Sequence, residues 1–171
     1  MIPECIELTI SVFLLSPWPH GIIQGMEKEY LTTEMVDAMI RDLVRQIKSS
    51  KKAFYSVVGI AHGGLHVSRP ISQALGLPHY TVEISYYDGE VRRPSPVIGK
   101  SEVERIWGSI IVDDLIDSGG TFRLFDQMFG LKGNAVAVLL CGAKASPRPD
   151  FCARIKPDKW IVFPWEVEYA D

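Results

Sequence analysis

One stretch in the middle of the chain constrains the fold more than any other, because a strand, a turn and a helix follow one another in it without a gap. Residues 109–112 are mostly β-branched and apolar, which is typical of a buried strand. Residues 121–129 have helical spacing and end at Gly130, a residue type that favours helix ends. A buried strand that leads directly into a helix is typical of a parallel sheet covered by helices.

The rest of the chain repeats this alternation. Further runs rich in β-branched and aromatic residues predict strands over 55–60, 80–85 and 135–140. Apolar residues recur at helical spacing over 35–47, and a second helix is predicted over 65–75. The sequence therefore predicts an α/β fold with a mostly parallel central sheet flanked by helices. In such sheets ligands bind at the carboxyl ends of the strands.

Composition narrows the class of protein. The chain has 171 residues, of which 47% are hydrophobic and 23% charged, a balance typical of one globular domain. Its net charge of −3 argues against a general nucleic-acid binder, and no apolar run approaches the ~20 residues that a membrane-spanning helix needs. The three cysteines form no C-x-x-C pair, which favours free thiols in a reducing compartment. We therefore expect a cytoplasmic protein with neither a nucleic-acid partner nor a membrane span.

Two segments depart from the regular pattern. Residues 1–25 are rich in proline and glycine and show no sustained period, so we expect an appended or irregular segment before a single domain over 26–171. Met26 is then a candidate original start, and a short edge strand over 8–15 is the alternative. Residues 86–107 are charged and fit neither period, which predicts a long loop of the kind that forms a lid or binds a ligand.

The turn after residues 109–112 carries the strongest chemical signal. Two adjacent carboxylates, Asp113 and Asp114, follow the strand, and Asp117 comes just before a Ser-Gly-Gly-Thr turn. Paired glycines let backbone N–H groups approach an anion closely, and the N-terminus of the following helix favours negative charge. The pattern predicts a phosphate site beside a carboxylate cluster, which could hold a divalent cation or ribose hydroxyls.

This stretch resembles the 5-phosphoribosyl-1-diphosphate (PRPP) binding motif of type I phosphoribosyltransferases. The resemblance implies that Asp113 and Asp114 contact the ribose hydroxyls and an associated Mg²⁺, and that Asp117 lies near the purine N7 as the candidate for proton transfer. The turn that would cradle the 5-phosphate consists of Ser118, Gly119, Gly120 and Thr121.

A second glycine pair follows the predicted strand at 55–60. His62, Gly63 and Gly64 form only a weak anion-site pattern alone, but upstream of the first motif they resemble the diphosphate loop of the same family. Purine enzymes of the family usually carry Arg or Lys at the position of His62. His62 and His66 also have the spacing of a zinc pair, but no Glu follows His62 as the metalloprotease pattern requires, so a metal site is disfavoured.

A third signal lies near the C-terminus. A lysine at a strand end can donate to a carbonyl oxygen, and an aromatic ring can stack on a planar base, although a Trp is more often part of a core. Residues 157–166 are here called the hood. Lys144 and the hood together resemble the purine-binding part of the xanthine-guanine (hypoxanthine-guanine) phosphoribosyltransferases. The resemblance implies a 6-oxo contact for Lys144, stacking for Trp160 and a backbone contact to the 2-position for Ile161. Glu166 stands where the family has an acid, usually Asp, near the diphosphate and metal.

Together these resemblances imply a Mg²⁺-dependent enzyme of purine salvage that transfers the 5-phosphoribosyl group from PRPP to a 6-oxopurine. The 86–107 stretch matches the position of the family's mobile loop, with Arg92 and Arg93 as candidates to contact the diphosphate. Similar enzymes are dimers or tetramers, so a homodimer or homotetramer is expected. The alternatives are a regulatory domain that binds PRPP without efficient transfer, which His62 favours, and a transferase for another base.

Overall fold

The computed structural model describes residues 27–88, 91–98 and 106–167. The segment 1–25, predicted to be appended, lies outside the described residues. Along the chain the elements are β1 (Lys28–Tyr30), α1 (Thr33–Ser49), β2 (Ser56–Ala61), α2 (Gly63–Leu75), β3 (His79–Asp88), β4 (Val91–Ile98), β5 (Ser109–Ile116), α3 (Gly120–Phe129), β6 (Ala135–Cys141), β7 (Phe151–Ile155), β8 (Trp160–Val162) and α4 (Pro164–Val167).

Six strands form the central sheet, in the order β4-β3-β2-β5-β6-β7. Every neighbouring pair is parallel except β3 and β4, which are antiparallel. The predicted α/β fold with a mostly parallel sheet is therefore confirmed. β2 and β5 are the two middle strands, and their register pairs Gly59 with Val112. The chain segments that follow these two strands consequently leave the sheet at the same edge.

Alternating side chains of the central strands belong to two hydrophobic clusters. Val57 and Ile110 belong to the cluster that contains the buried residues of α1 and α2. Their chain neighbours Val58 and Ile111 pack instead with Phe122 of α3. Because successive strand residues point to opposite faces, helices on both sides bury most side chains of β2, β5 and β6. This explains why the central strands are nearly continuous apolar runs.

α1 shows how closely local sequence and structure agree. The Oγ1 atom of Thr32 accepts a hydrogen bond of 3.3 Å from the backbone N–H of Met35 and thus caps the N-terminus of α1. Its buried residues are Val36, Ile40, Leu43 and Ile47. This i, i+4, i+3, i+4 spacing places one apolar stripe on β6 and β7.

A second, two-stranded sheet carries the hood. β1 pairs in parallel with β8, so that Lys28 lies opposite Trp160. Glu29 of β1 accepts a hydrogen bond of 2.5 Å from Arg154, the penultimate residue of β7. Residues just before α1 thus hold the hood beside the carboxyl end of the central sheet, although β1 itself was not predicted from the sequence.

The prediction of a loop over 86–107 is wrong for part of that stretch. β3 continues to Asp88, and β4 returns beside it as the edge strand of the sheet. β4 contains Pro94 and Pro96, which interrupt the strand pattern in the sequence but are tolerated at a sheet edge. Residues 89–90 and 99–105 lie outside the described residues. In the part of the chain that the structure describes, no helix is long and apolar enough to cross a membrane.

Candidate active site

Two short connections meet at the carboxyl edge of the sheet. The first loop, residues 61–64, joins β2 to α2, and the second loop, residues 117–121, joins β5 to α3. α2 and α3 have 13 and 10 residues, and neither N-cap residue makes a side-chain capping bond. Unlike α1, these two helices therefore begin at this edge without a side-chain cap. Their first backbone N–H groups are then available to bind an anion.

The glycines of the first loop allow it to lie directly on β5. A Cβ atom placed on Gly64 would lie 2.6 Å from the carbonyl oxygen of Val112, and one placed on Gly63 would collide with the carboxylate of Asp114. At Gly64 only a residue without a side chain fits against the backbone of β5, whereas at Gly63 the neighbouring group is a side chain. His62 precedes them with an exposed side chain, and the Ala61–His62 peptide bond is cis.

The second loop is held in a left-handed turn. Gly119 has φ of 89°, and a Cβ atom there would collide with the carbonyl oxygen of Ser146. The Arg123 guanidinium donates hydrogen bonds of 2.8 Å and 2.6 Å to the carbonyl oxygens of Ser118 and Ser146. Gly120 differs, because the nearest atom to a Cβ placed there is 3.9 Å away, on Arg123. Ser118 is exposed and Thr121 is half-buried, so both hydroxyls lie at the rim of the turn.

The two adjacent carboxylates of β5 are half-buried. Burial raises the pKa of Asp113 well above its ordinary value, and the charge of Asp114 raises it further. Burial and repulsion from Glu166 raise the pKa of Asp114 to about 6. Burial also raises the pKa of Glu166. Like-charged groups that repel one another at the end of a strand are in a favourable position to bind a cation.

A stack of three rings positions Glu166. The rings of His66 and Trp165 are 4.5 Å apart and nearly parallel, and Trp165 stacks in turn on Phe163 at 4.7 Å. The backbone N–H of Phe163 donates a hydrogen bond of 2.8 Å to Oε2 of Glu166. The stack therefore links α2, one turn beyond the first loop, to the hood residue whose charge acts on Asp114. This role of His66 was not predicted from the sequence.

Magnesium fits the donors that the structure brings together. Mg²⁺ prefers oxygen ligands and usually takes one or two carboxylates, with waters and substrate phosphates completing its shell. Asp114 and Glu166 supply two such carboxylates. Among residues 27–88, 91–98 and 106–167, no group of three or more His, Cys, Asp or Glu side chains could hold a metal ion on its own. The donor set thus suits an ion that is bound together with a phosphorylated substrate.

Asp117 and Lys144 follow the carboxyl ends of β5 and β6, whereas Trp160 and Ile161 lie in β8 of the second sheet. Asp117 is 53% exposed, and its Oδ1 is 3.8 Å from Nζ of Lys156, a side chain that is only 13% exposed. Lys144 is exposed, Trp160 is half-buried and Ile161 is buried in β8. Lys156 was not predicted from the sequence. Its position directly after a short strand has no periodic signal, and only the three-dimensional structure brings it to Asp117.

Comparisons with known proteins agree with this geometry. The family model described as the phosphoribosyl transferase domain matches residues 27–171. A purine phosphoribosyltransferase from Pyrococcus horikoshii Ot3 is 32% identical, with 82% of this chain and 95% of that chain covered and a TM-score of 0.70. A xanthine-guanine-hypoxanthine phosphoribosyltransferase from Helicobacter pylori is 20% identical, with coverage of 83% and 96% and a TM-score of 0.69.

A third similar structure is a hypothetical protein from Neisseria gonorrhoeae with bound ppGpp, which is 23% identical. The aligned region covers 84% of this chain and 94% of that chain, and the TM-score is 0.62. The two less identical structures share the fold, whereas the family match extends over the described fold and both loops. The chain belongs to the phosphoribosyltransferase domain family.

Proposed function

We propose that this chain is a purine phosphoribosyltransferase that transfers the 5-phosphoribosyl group from PRPP to a 6-oxopurine, with nucleoside monophosphate and diphosphate as products. The observation that carries the proposal is the meeting of two helix N-termini without side-chain caps over the carboxylates of β5. One substrate with phosphate groups at both ends of a ribose would satisfy both loops and the carboxylates between them. The 32% identity to a purine enzyme supports the choice of base class.

PRPP would lie across the edge of the sheet. Its 5-phosphate would bind the second loop, where Ser118, Thr121 and the backbone N–H groups at Gly119 and Gly120 are donors. Its diphosphate would bind the first loop at Gly63 and Gly64, with the exposed ring of His62 as an added donor. The ribose hydroxyls would reach Asp113 and Asp114 between the two loops.

Asp114 and Glu166 would hold Mg²⁺ together with oxygens of PRPP, and when bound the ion would neutralise charge on the diphosphate. The chain's own residues orient the substrates. Trp160 would stack on the base, and the backbone of Ile161 would contact the 2-position. A lysine ammonium would donate to the 6-oxo group, a role for which Lys144 is the candidate from the family resemblance.

Asp117 would accept the proton from N7 of the base. Its exposed carboxylate at the end of β5 can be reached by a planar base that enters from solvent. As N9 of the base forms a bond to C1 of the ribose, the electrons of the C1–oxygen bond leave with the diphosphate. Because the transition state resembles an oxocarbenium ion, positioning of the substrates and stabilisation of the leaving group dominate catalysis.

Steady-state assays with PRPP, Mg²⁺ and guanine, xanthine, hypoxanthine or adenine test this function. We expect turnover with at least one 6-oxopurine and much slower turnover with adenine. PRPP binding without turnover of any base would contradict the proposal and favour the regulatory alternative. Rapid turnover of adenine alone would instead favour the alternative of a transferase for another base.

The Asp117→Asn variant tests the proton acceptor. We expect kcat to fall by about 100-fold or more because general-base assistance is lost, whereas the KM for PRPP changes little. Asp37→Asn is a matched control, since Asp37 is an exposed aspartate on α1. An unchanged kcat in the Asp117→Asn variant would exclude Asp117 from proton transfer.

We also propose that residues 26–171 form a single domain and that the protein is a homodimer or homotetramer. The extent of the family match over 27–171 supports the first statement. The second rests on the oligomers that similar enzymes form, and light scattering after size-exclusion chromatography would test it.

A further inference from the structure

A third loop, residues 142–146, follows β6 and lies against the second loop. A Cβ atom on Gly119 would collide with the carbonyl oxygen of Ser146, so the backbones of the two loops are in contact. The backbone N–H of Ser146 also donates a hydrogen bond of 3.3 Å to the carbonyl oxygen of Ser118. The turn that would hold the 5-phosphate is therefore supported on one side by another loop.

One arginine joins these two loops. Nη1 of Arg123 donates hydrogen bonds of 2.8 Å and 2.6 Å to the carbonyl oxygens of Ser118 and Ser146. Arg123 is the fourth residue of α3, and because side chains of a helix tilt toward its N-terminus, the guanidinium reaches back over the turn. A guanidinium is always charged, so these bonds are stronger than bonds between neutral groups.

The position of Arg123 is unfavourable for the helix itself. The N-terminus of α3 carries a partial positive charge, and its first turn contains neither an acidic residue nor a side-chain cap. A cation in this turn adds to that charge. Local conflicts of this kind are typical of functional sites, and a bound anion would remove this one.

The other terminal nitrogen of Arg123 lies close to the proposed approach of the phosphate. The first atoms that a Cβ on Gly120 would meet are Nη2 of Arg123 at 3.9 Å and Oγ of Ser118 at 4.0 Å. Both hydrogen bonds to the carbonyl oxygens come from Nη1. The guanidinium therefore lies between the contact that shapes the turn and the side of the turn that a ligand would enter.

We propose that Arg123 is a positioning residue, which holds the second loop in its phosphate-binding shape before a ligand arrives. This inference rests on the proposed function and deepens it, since it concerns how the 5-phosphate site is formed. Gly119 and Gly120 give an isolated turn much conformational freedom, and the loss of that freedom on ligand binding would lower the affinity. Because Arg123 joins Ser118 to Ser146 in the ligand-free protein, the turn is already ordered when the phosphate binds.

Two ligand fragments test this role in the Arg123→Met variant of the full chain. Ribose 5-phosphate probes the second loop, inorganic diphosphate with Mg²⁺ probes the first loop, and calorimetry measures both affinities without a purine base. We expect Arg123→Met to weaken ribose 5-phosphate binding by about 10-fold or more and to change diphosphate binding by less than about twofold. In the ligand-free variant, backbone hydrogen exchange of residues 117–121 and 142–146 should be faster than in the unmodified protein.

Two further variants are controls. Ser146→Ala removes a hydroxyl but keeps the carbonyl oxygen that Arg123 contacts, so its affinity for ribose 5-phosphate should be unchanged. Arg45→Met removes an exposed arginine of α1 that bonds to Asp42, and it should not affect either fragment. If Arg123→Met does not fold, Arg123→Gln replaces it in the same comparison.

Equal weakening of both fragments in Arg123→Met would reduce Arg123 to a general structural role and overturn the inference. Unchanged ribose 5-phosphate binding, unchanged hydrogen exchange in the two loops, or no ribose 5-phosphate binding by the unmodified protein would overturn it as well. Failure of the proposed function is a different result. The unmodified protein would then turn over no purine, while ribose 5-phosphate would still bind and its affinity would still depend on Arg123.

Discussion

The first and second loops are built alike but use their glycines differently. Each loop follows a middle strand, contains a glycine pair and begins a helix without a side-chain cap. In the first loop, Gly64 is required because the backbone of β5 lies against it, and the Asp114 side chain lies against Gly63. In the second loop, Gly119 is required by its left-handed conformation and by Ser146, whereas a Cβ atom on Gly120 would meet no atom closer than 3.9 Å. A glycine in such a pair can therefore be required for either of two reasons: because the protein packs closely against it, or because a ligand must approach the backbone closely.

The largest effect on stability is expected at Gly119. Gly119→Ala adds a side chain to a residue with φ of 89° and directs it at the carbonyl oxygen of Ser146. The left-handed conformation and the collision together should lower the free energy of unfolding by about 4 kcal/mol. Urea unfolding monitored by circular dichroism measures this loss.

Gly76→Ala is the control for Gly119→Ala. Gly76 ends α2 with φ of 67°, and a Cβ atom there meets nothing within 4 Å. This variant therefore reports the cost of the left-handed conformation alone, about 1 kcal/mol. If the two variants lost equal stability, the contact with Ser146 would not constrain the second loop.

Gly64→Ala should have the next largest effect. The added Cβ would lie 2.6 Å from the carbonyl oxygen of Val112 and 3.0 Å from Cα of Asp113, both backbone atoms of β5. Because a central strand cannot easily move, we expect a loss of about 3 kcal/mol in the free energy of unfolding. Gly63→Ala should cost less, since its Cβ meets only the Asp114 side chain, which can rotate. The reverse order would contradict the packing described for the first loop.

In the absence of metal, the raised pKa of Asp114 beneath the first loop should make the stability of the fold depend on pH. The pKa of Asp114 rises from 3.8 to about 6 on folding, so between these values the folded protein binds more protons than the unfolded chain. The stability due to protonated Asp114 is thus complete below about pH 4 and is lost as the pH rises through about 6. The loss should be on the order of 3 kcal/mol.

Asp114→Asn isolates this effect. In chelator-treated protein, the variant should be more stable than the unmodified chain above about pH 6, and the difference should disappear on acidification. Thermal unfolding at a series of pH values measures the difference, with Asp37→Asn as the control for an exposed aspartate. A difference that does not vary with pH would show that Asp114 is ionised alike in the folded and unfolded chains.

Sequence patterns predicted the parts of this molecule that depend on local or repetitive signals. The strands and helices of the parallel sheet follow from their periods, and residues 109–121 indicate a phosphate site before any coordinates are known. β4 was missed because Pro94 and Pro96 break the strand pattern. The approach of Lys156 to Asp117 and the stack from His66 to Phe163 join residues that are distant in the chain. Long-range contacts of this kind have no periodic signature in a single sequence.

Gly120 provides the sharpest test of the comparison between the two loops. A side chain at this position would affect ligand approach without a close contact with the protein. Gly120→Ala places its Cβ 3.9 Å from Arg123 and 4.0 Å from the Ser118 hydroxyl, so the free energy of unfolding should change by less than about 1 kcal/mol. If the 5-phosphate binds the second loop, the same methyl group would occupy the approach to the N-terminus of α3. The KM for PRPP should then rise by about 10-fold or more, because a close phosphate contact would be obstructed. A stable variant with an unchanged KM would mean that the phosphate binds elsewhere.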